Sequence, residues 1–210
     1  MNVENNNKIN IPNIQIKSVY QPAKKEESSM APNIAQLIEK MKKAPNYDVV
    51  CEALKEAVKN GDIVKRDNIT YTSGDYIISD ILRQNGERNA NMLKELTKKG
   101  ITISPQYVDS INIEDYTILI TKIDGMNGKE LVPFTQGKNS VSREDKTKAF
   151  DDVKKLAKAG LYNQSLAREA GAWYVIPGSN KLILPVWNLR PIESNEAPDL
   201  LNKCYKTIFE

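Results

Sequence analysis

The stretch Gly160 to Ile192, GLYNQSLAREAGAWYVIPGSNKLILPVWNLRPI, sets out helix end, loop and hairpin in an order that leaves little freedom. Gly160 closes the helix before it, as glycine does where a chain must turn left-handed. Polar and small residues lead to Trp173-Tyr174-Val175-Ile176, then to the turn residues Pro177-Gly178-Ser179-Asn180, then to the apolar run Leu182 to Trp187. Two apolar runs about such a turn predict a β-hairpin.

Working back from Gly160, Ser142 opens a helix, with Asp145 placed three residues on to complete a capping-box-like pair. Ala149, Phe150, Val153, Leu156 and Ala157 form its apolar face. A β-strand is predicted over Tyr116 to Ile123, rich in β-branched residues and ended by Asp124-Gly125. Asn89 to Lys99 reads as a helix stopped by Gly100. Asp62 to Lys65 and Ile69 to Thr72 read as short strands. Two helices separated by Pro45 account for Asn33 to Asn60, with Ile34, Leu37, Ile38, Met41, Val50, Leu54 and Val58 at spacings of three and four. Ala197 to Phe209 carries a last helical pattern. Residues 1–32, rich in Asn, Lys and Ser with three prolines, read as a disordered segment.

Composition narrows the function classes. The 210 residues are 40% hydrophobic and 27% charged, which is ordinary globular usage. A net charge of +3 from 30 basic and 27 acidic residues spread along the chain provides no basic stripe, so nucleic acid is not an expected partner. There is no histidine, which removes the usual zinc sites and every mechanism with a histidine base. Cys51 and Cys204 are isolated and read as small hydrophobes. No run of roughly 18 apolar residues predicts a membrane span, and the amino terminus lacks the pattern of a cleavable signal peptide.

Gly100 to Leu166, GITISPQYVDSINIEDYTILITKIDGMNGKEL followed after a spacer by DDVKKLAKAGLYNQSL, resembles the protein-kinase fold. A Pro-containing segment after a helix leads into strands, a hinge near Thr121 to Gly125, and a long helix that runs into the catalytic loop. With the ending LPVWNLRPI, the chain is similar to the small bacterial type III effector kinases typified by OspG and NleH. The resemblance implies an α+β, reduced two-lobed fold with a partly helical small lobe. Residues 1–32 would be a tail or secretion segment, 33–123 the small-lobe-like region and 124–210 a reduced large-lobe-like region.

Position by position, the catalytic residues implied by the family are replaced. Gln164 falls where the catalytic aspartate would be and cannot ionise; Glu169 falls where the following asparagine would be. Trp187 falls where the metal-binding Asp-Phe-Gly begins, and an indole does not ligate Mg²⁺. Asn89 takes the place of the ion-pairing glutamate, with Glu87 out of register. Lys43 to Asp48, where a glycine-rich loop would lie, contains no glycine. Lys65 alone keeps a family-like position and is the one cofactor-binding candidate. No metal ligand is assigned; ATP with Mg²⁺ is the pair that an active relative would take.

The expectation is therefore a pseudokinase, secreted by a bacterium and acting in the host cytoplasm as a binding module on a host protein. The resemblance implies a ubiquitin-conjugating enzyme or ubiquitin as that partner. Two alternatives stand beside it. One is a divergent kinase-fold transferase using ATP, with Lys65 on phosphate and Glu169 or Asp124 as ligands. The other is an unrelated α+β interaction domain, which a single sheet containing both Tyr116 to Ile123 and the Trp173 to Trp187 hairpin would support. The carboxylate pairs Glu144-Asp145 and Asp151-Asp152 read as a solvated helix face. Trp173 and Trp187 read as packing beneath the hairpin.

Overall fold

The computed structural model describes residues 31–163, 166, 172–185, 189–193 and 195–210, a mixed α+β architecture. Residues 1–30 of the expected amino-terminal segment 1–32, together with Gln164, Glu169 and Trp187, lie outside the described residues. Ala31–Glu210 forms one compact unit.

Two helices come first, α1 (Pro32–Lys42) and α2 (Tyr47–Lys59). Their buried positions, Ile34, Leu37, Ile38 and Met41 on α1 and Val50, Ala53, Leu54 and Ala57 on α2, follow the predicted spacing. Asn46 caps α2, its side chain accepting from Val49 N at 3.1 Å.

A five-stranded antiparallel sheet follows, built from β1 (Val64–Lys65), β2 (Thr70–Ser73), β3 (Tyr76–Leu82), β4 (Gln106–Ile113) and β5 (Tyr116–Lys122), in the order β1-β2-β3-β5-β4. Helix α3 (Arg83–Lys98) connects β3 to β4. The helices at Asn33 to Asn60 therefore do not stand in for strands, as a rebuilt small lobe would require. They cover one face of a sheet that is complete downstream of them: the Tyr47 ring stacks on Tyr116 of β5 with centroids 3.8 Å apart, and the Tyr47 hydroxyl donates to Asp80 of β3. Ile78, Ile118 and Ile120, on that outer face, are fully buried.

β3 is absent from the sequence reading, as is most of β4. Along β3, Tyr76, Ile78 and Asp80 alternate with Ile77, Ser79 and Ile81, a period-two pattern in which a carboxylate occupies an apolar position. Asp80 is tolerated there because Tyr47, thirty-three residues earlier, supplies a hydrogen bond.

Beyond the sheet come β6 (Val132–Pro133), α4 (Phe134–Gly137), α5 (Arg143–Lys158), β7 (Leu161–Asn163), β8 (Tyr174–Val175), β9 (Leu182–Ile183), β10 (Leu189–Pro191) and α6 (Ala197–Phe209). Ser142 caps α5 as the sequence predicts, accepting from Asp145 N at 3.0 Å and donating to Asp145 Oδ2 at 2.6 Å. β8 and β9 form the predicted hairpin and join β6 in a three-stranded sheet, and β7 pairs with β10. One hydrophobic core joins Leu93, Leu96, Ile101 and Ile103 of the first half to Val153, Leu156, Trp173, Leu184 and Ile208 of the second. The core thus crosses the 123/124 boundary expected from the sequence.

Candidate functional site

The inner face of the sheet, opposite α1 and α2, roofs a cavity of about 260 Å³. Cross-strand register aligns its roof: Ile77 pairs with Thr121 and Ser79 with Leu119, so alternate residues of β3 and β5 point to the same side. Helix α3 forms a wall with Asn89, Met92 and Leu93. Pro105, after α3, and Pro185, after β9, complete the lining, so residues from both halves of the chain meet there.

The chemistry of this lining is uniform in one respect. Among the described residues it contains no charged side chain. Its polar groups are the Ser79 and Thr121 hydroxyls and the Asn89 carboxamide, and none of the three has a hydrogen-bond partner among the described residues. Ile81, Asn89 and Met92 are shared with a wider outer groove of about 810 Å³, whose rim carries Arg88 and Glu95.

Lys65 does not line this cavity. It sits on the edge strand β1 rather than on the third strand, exposed to solvent, with its ammonium 5.9 Å from the Tyr71 ring centroid. β3, which is absent from the sequence reading, is the strand that faces the cavity. This third strand presents Ser79 to the cavity. Glu87 is held outside by Arg83 at 2.9 Å and by Asn112, whose amide donates to it at 3.0 Å. Asp124 pairs with Lys122 at 2.7 Å on the surface. Among the described residues, no three His, Cys, Asp or Glu side chains gather as a metal site requires.

The β1–β2 connection contains no glycine. The Asp67 carboxylate instead accepts from the backbone of Ile69 and Thr70, each at 2.8 Å, and closes the turn locally. Lys43 to Asp48, the expected site of a glycine-rich loop, is the α1–α2 connection and the start of α2. The hinge expected at Thr121 to Gly125 is tied back to the β2–β3 turn, because Asp75 accepts from Gly125 N at 3.1 Å and from Asn127 N at 2.7 Å.

Gln164, Glu169 and Trp187 fall between β7 and β8 and between β9 and β10, outside the described residues. Tyr162 of β7 is buried with its hydroxyl unpartnered among the described residues, and burial pushes its phenol up to about 12. The Arg190 guanidinium lies 5.2 Å from the Tyr162 ring centroid.

One carboxylate departs from the solvated helix face read from the sequence. Asp152 of α5 is 2% exposed and accepts from Thr102 N at 2.5 Å, Thr102 Oγ1 at 2.8 Å and Ile103 N at 3.3 Å, with Lys155 at 2.7 Å. It fastens the turn after α3, and with it Pro105 of the cavity, to the second half of the chain. Asp151 remains outside, paired with Lys154. Trp173 is buried as the hairpin reading expects, and so is Cys204, whose thiol burial pushes up to about 12.

Compared with known proteins, the chain matches no family model and none of the curated sequences. No helix among the described residues is long and apolar enough to cross a membrane.

Proposed function

We propose that this chain is a reduced kinase-like domain that works as a protein-binding module and does not transfer phosphate in the usual way. The observation that carries the proposal is the lining of the cavity between the sheet, α3 and Pro185, which has no cation and no carboxylate among the described residues. Phosphoryl transfer depends on charged groups and metal ions that position the phosphates and neutralise developing charge. Ser79 and Asn89 supply neither.

The kinase-like part of the proposal is supported by element order. Five antiparallel strands carry one helix between the third and fourth, and the hairpin β8–β9 belongs to a different sheet from β5. A single sheet holding both would have favoured an unrelated interaction domain. The resemblance suggests a host protein of the ubiquitin pathway as partner and delivery by a bacterium as the route to it.

Purified protein with ATP and Mg²⁺ is expected to give no phosphotransfer to itself or to a generic substrate, and no metal-dependent nucleotide binding by calorimetry. Robust activity that disappears in Lys65→Ala would overturn the proposal. For the partner, co-elution with a ubiquitin-charged conjugating enzyme but not with the uncharged enzyme is the expected result. Equal failure to bind either removes the ubiquitin pathway from the proposal.

A further inference from the structure

We infer that the cavity beneath β3 and β5 is a binding site for a small uncharged molecule that has an apolar body and one hydrogen-bonding group. The inference stands on the cavity alone and holds whether or not the chain binds a protein partner. Three features of the site converge on that class of ligand.

The first is charge. A charged group entering the cavity would lose its hydration and find no counter-charge among the described lining residues, which disfavours ionised ligands. The second is the set of polar groups. Ser79 and Thr121 occupy diagonal positions across β3 and β5 on the cavity face, and Asn89 lines the cavity from α3. All three lack protein partners among the described residues. A purely hydrocarbon ligand would desolvate them without replacing their hydrogen bonds, so the site favours a ligand with a donor and an acceptor of its own. The third is size. At about 260 Å³ the cavity lies just under the usual range of roughly 300–1,000 Å³ for drug-sized ligands, which suits a single ring with one substituent.

The outer groove is a ready entrance, since it shares Ile81, Asn89 and Met92 with the cavity. Its rim charges, Arg88 and Glu95, are of opposite sign, so the approach favours neither an anion nor a cation.

The test uses three probes of the same shape: benzamide, benzoate and benzamidine, which are neutral, anionic and cationic near pH 7. Each is titrated into the full chain while methyl resonances of Ile77, Met92, Leu93 and Leu119 are followed by carbon-13 NMR. Benzamide is expected to shift these methyls saturably, with benzoate and benzamidine at least tenfold weaker. Ser79→Ala and Asn89→Ala, both small changes that leave the apolar lining intact, are each expected to weaken benzamide severalfold with unchanged far-UV circular dichroism. Absence of saturable shifts, equal binding of the charged probes, or full benzamide affinity in both variants would overturn the inference.

Discussion

Asp152 shows how much one side chain can carry that its neighbour does not. Asp151 and Asp152 are adjacent on α5, yet one pairs with Lys154 at the surface and the other accepts two backbone N–H groups and a hydroxyl in the interior. Removing a buried charged acceptor strands its donors, at about 1.5–3 kcal/mol for hydrogen bonds to a charged group. Asp152→Ala is thus expected to lower stability in urea by about 3 kcal/mol, and Asp151→Ala by no more than about 0.5 kcal/mol. Tyr162 presents the opposite case, a buried hydroxyl with no partner among the described residues. Tyr162→Phe is expected to leave stability at pH 7 equal or raise it by about 1 kcal/mol.

The same residue has a pH signature. Burial holds the folded-state phenol near 12, above the ordinary value of about 10. Between those values the unfolded chain has released the proton that the folded chain keeps, so the unfolded state binds fewer protons. Stability from this group is therefore complete below about pH 10 and falls as pH rises toward 12. Urea midpoints at pH 9 and pH 11 are expected to fall less in Tyr162→Phe than in the parent chain.

At the scale of elements, α3 decides the shape of the cavity, and Gly86 decides how close α3 lies to the sheet. A Cβ added at Gly86 would stand 2.3 Å from Thr117 Cβ, and Thr117 is itself fully buried and bonded to Asn112 at 2.8 Å. Alanine improves an exposed helical position by about 1 kcal/mol over glycine, but overpacking costs about 1–3 kcal/mol. Gly86→Ala is expected to be net destabilising by thermal melting, while Asn91→Ala, on the exposed side of the same helix, is expected to be neutral or mildly stabilising. The reason for Gly86 is illegible locally, because Thr117 lies thirty-one positions away. Helix spacing, the Ser142 cap and the Pro177–Asn180 turn were legible, because each depends on neighbours within four or five residues.

At the scale of the molecule, the core joining α3, α5, α6 and the β8–β9 hairpin makes the region on either side of position 123 dependent on the other. The expected consequence is a single cooperative transition for residues 31–210, with calorimetric and van't Hoff enthalpies in agreement. A fragment ending at Ile123 would expose Leu93, Leu96, Ile101 and Ile103 and is expected to lack a cooperative melt. Two separate transitions in the full chain, or a folded fragment, would contradict this.

The amino-acid sequence alone determined the elements whose signals are local: both amino-terminal helices, the helix capped by Ser142, the strand Tyr116 to Lys122 and the hairpin after Trp173. It also excluded histidine chemistry outright. Tertiary structure decided the rest. β3 and its inward row of Ile77, Ser79 and Ile81 became readable only once Tyr47 accounted for the carboxylate of Asp80. Lys65, the one cofactor-binding candidate of the sequence, lies on the edge strand β1, while β3 faces the cavity. Burial and pairing depend on residues distant along the chain, and local periodicity carries no record of them.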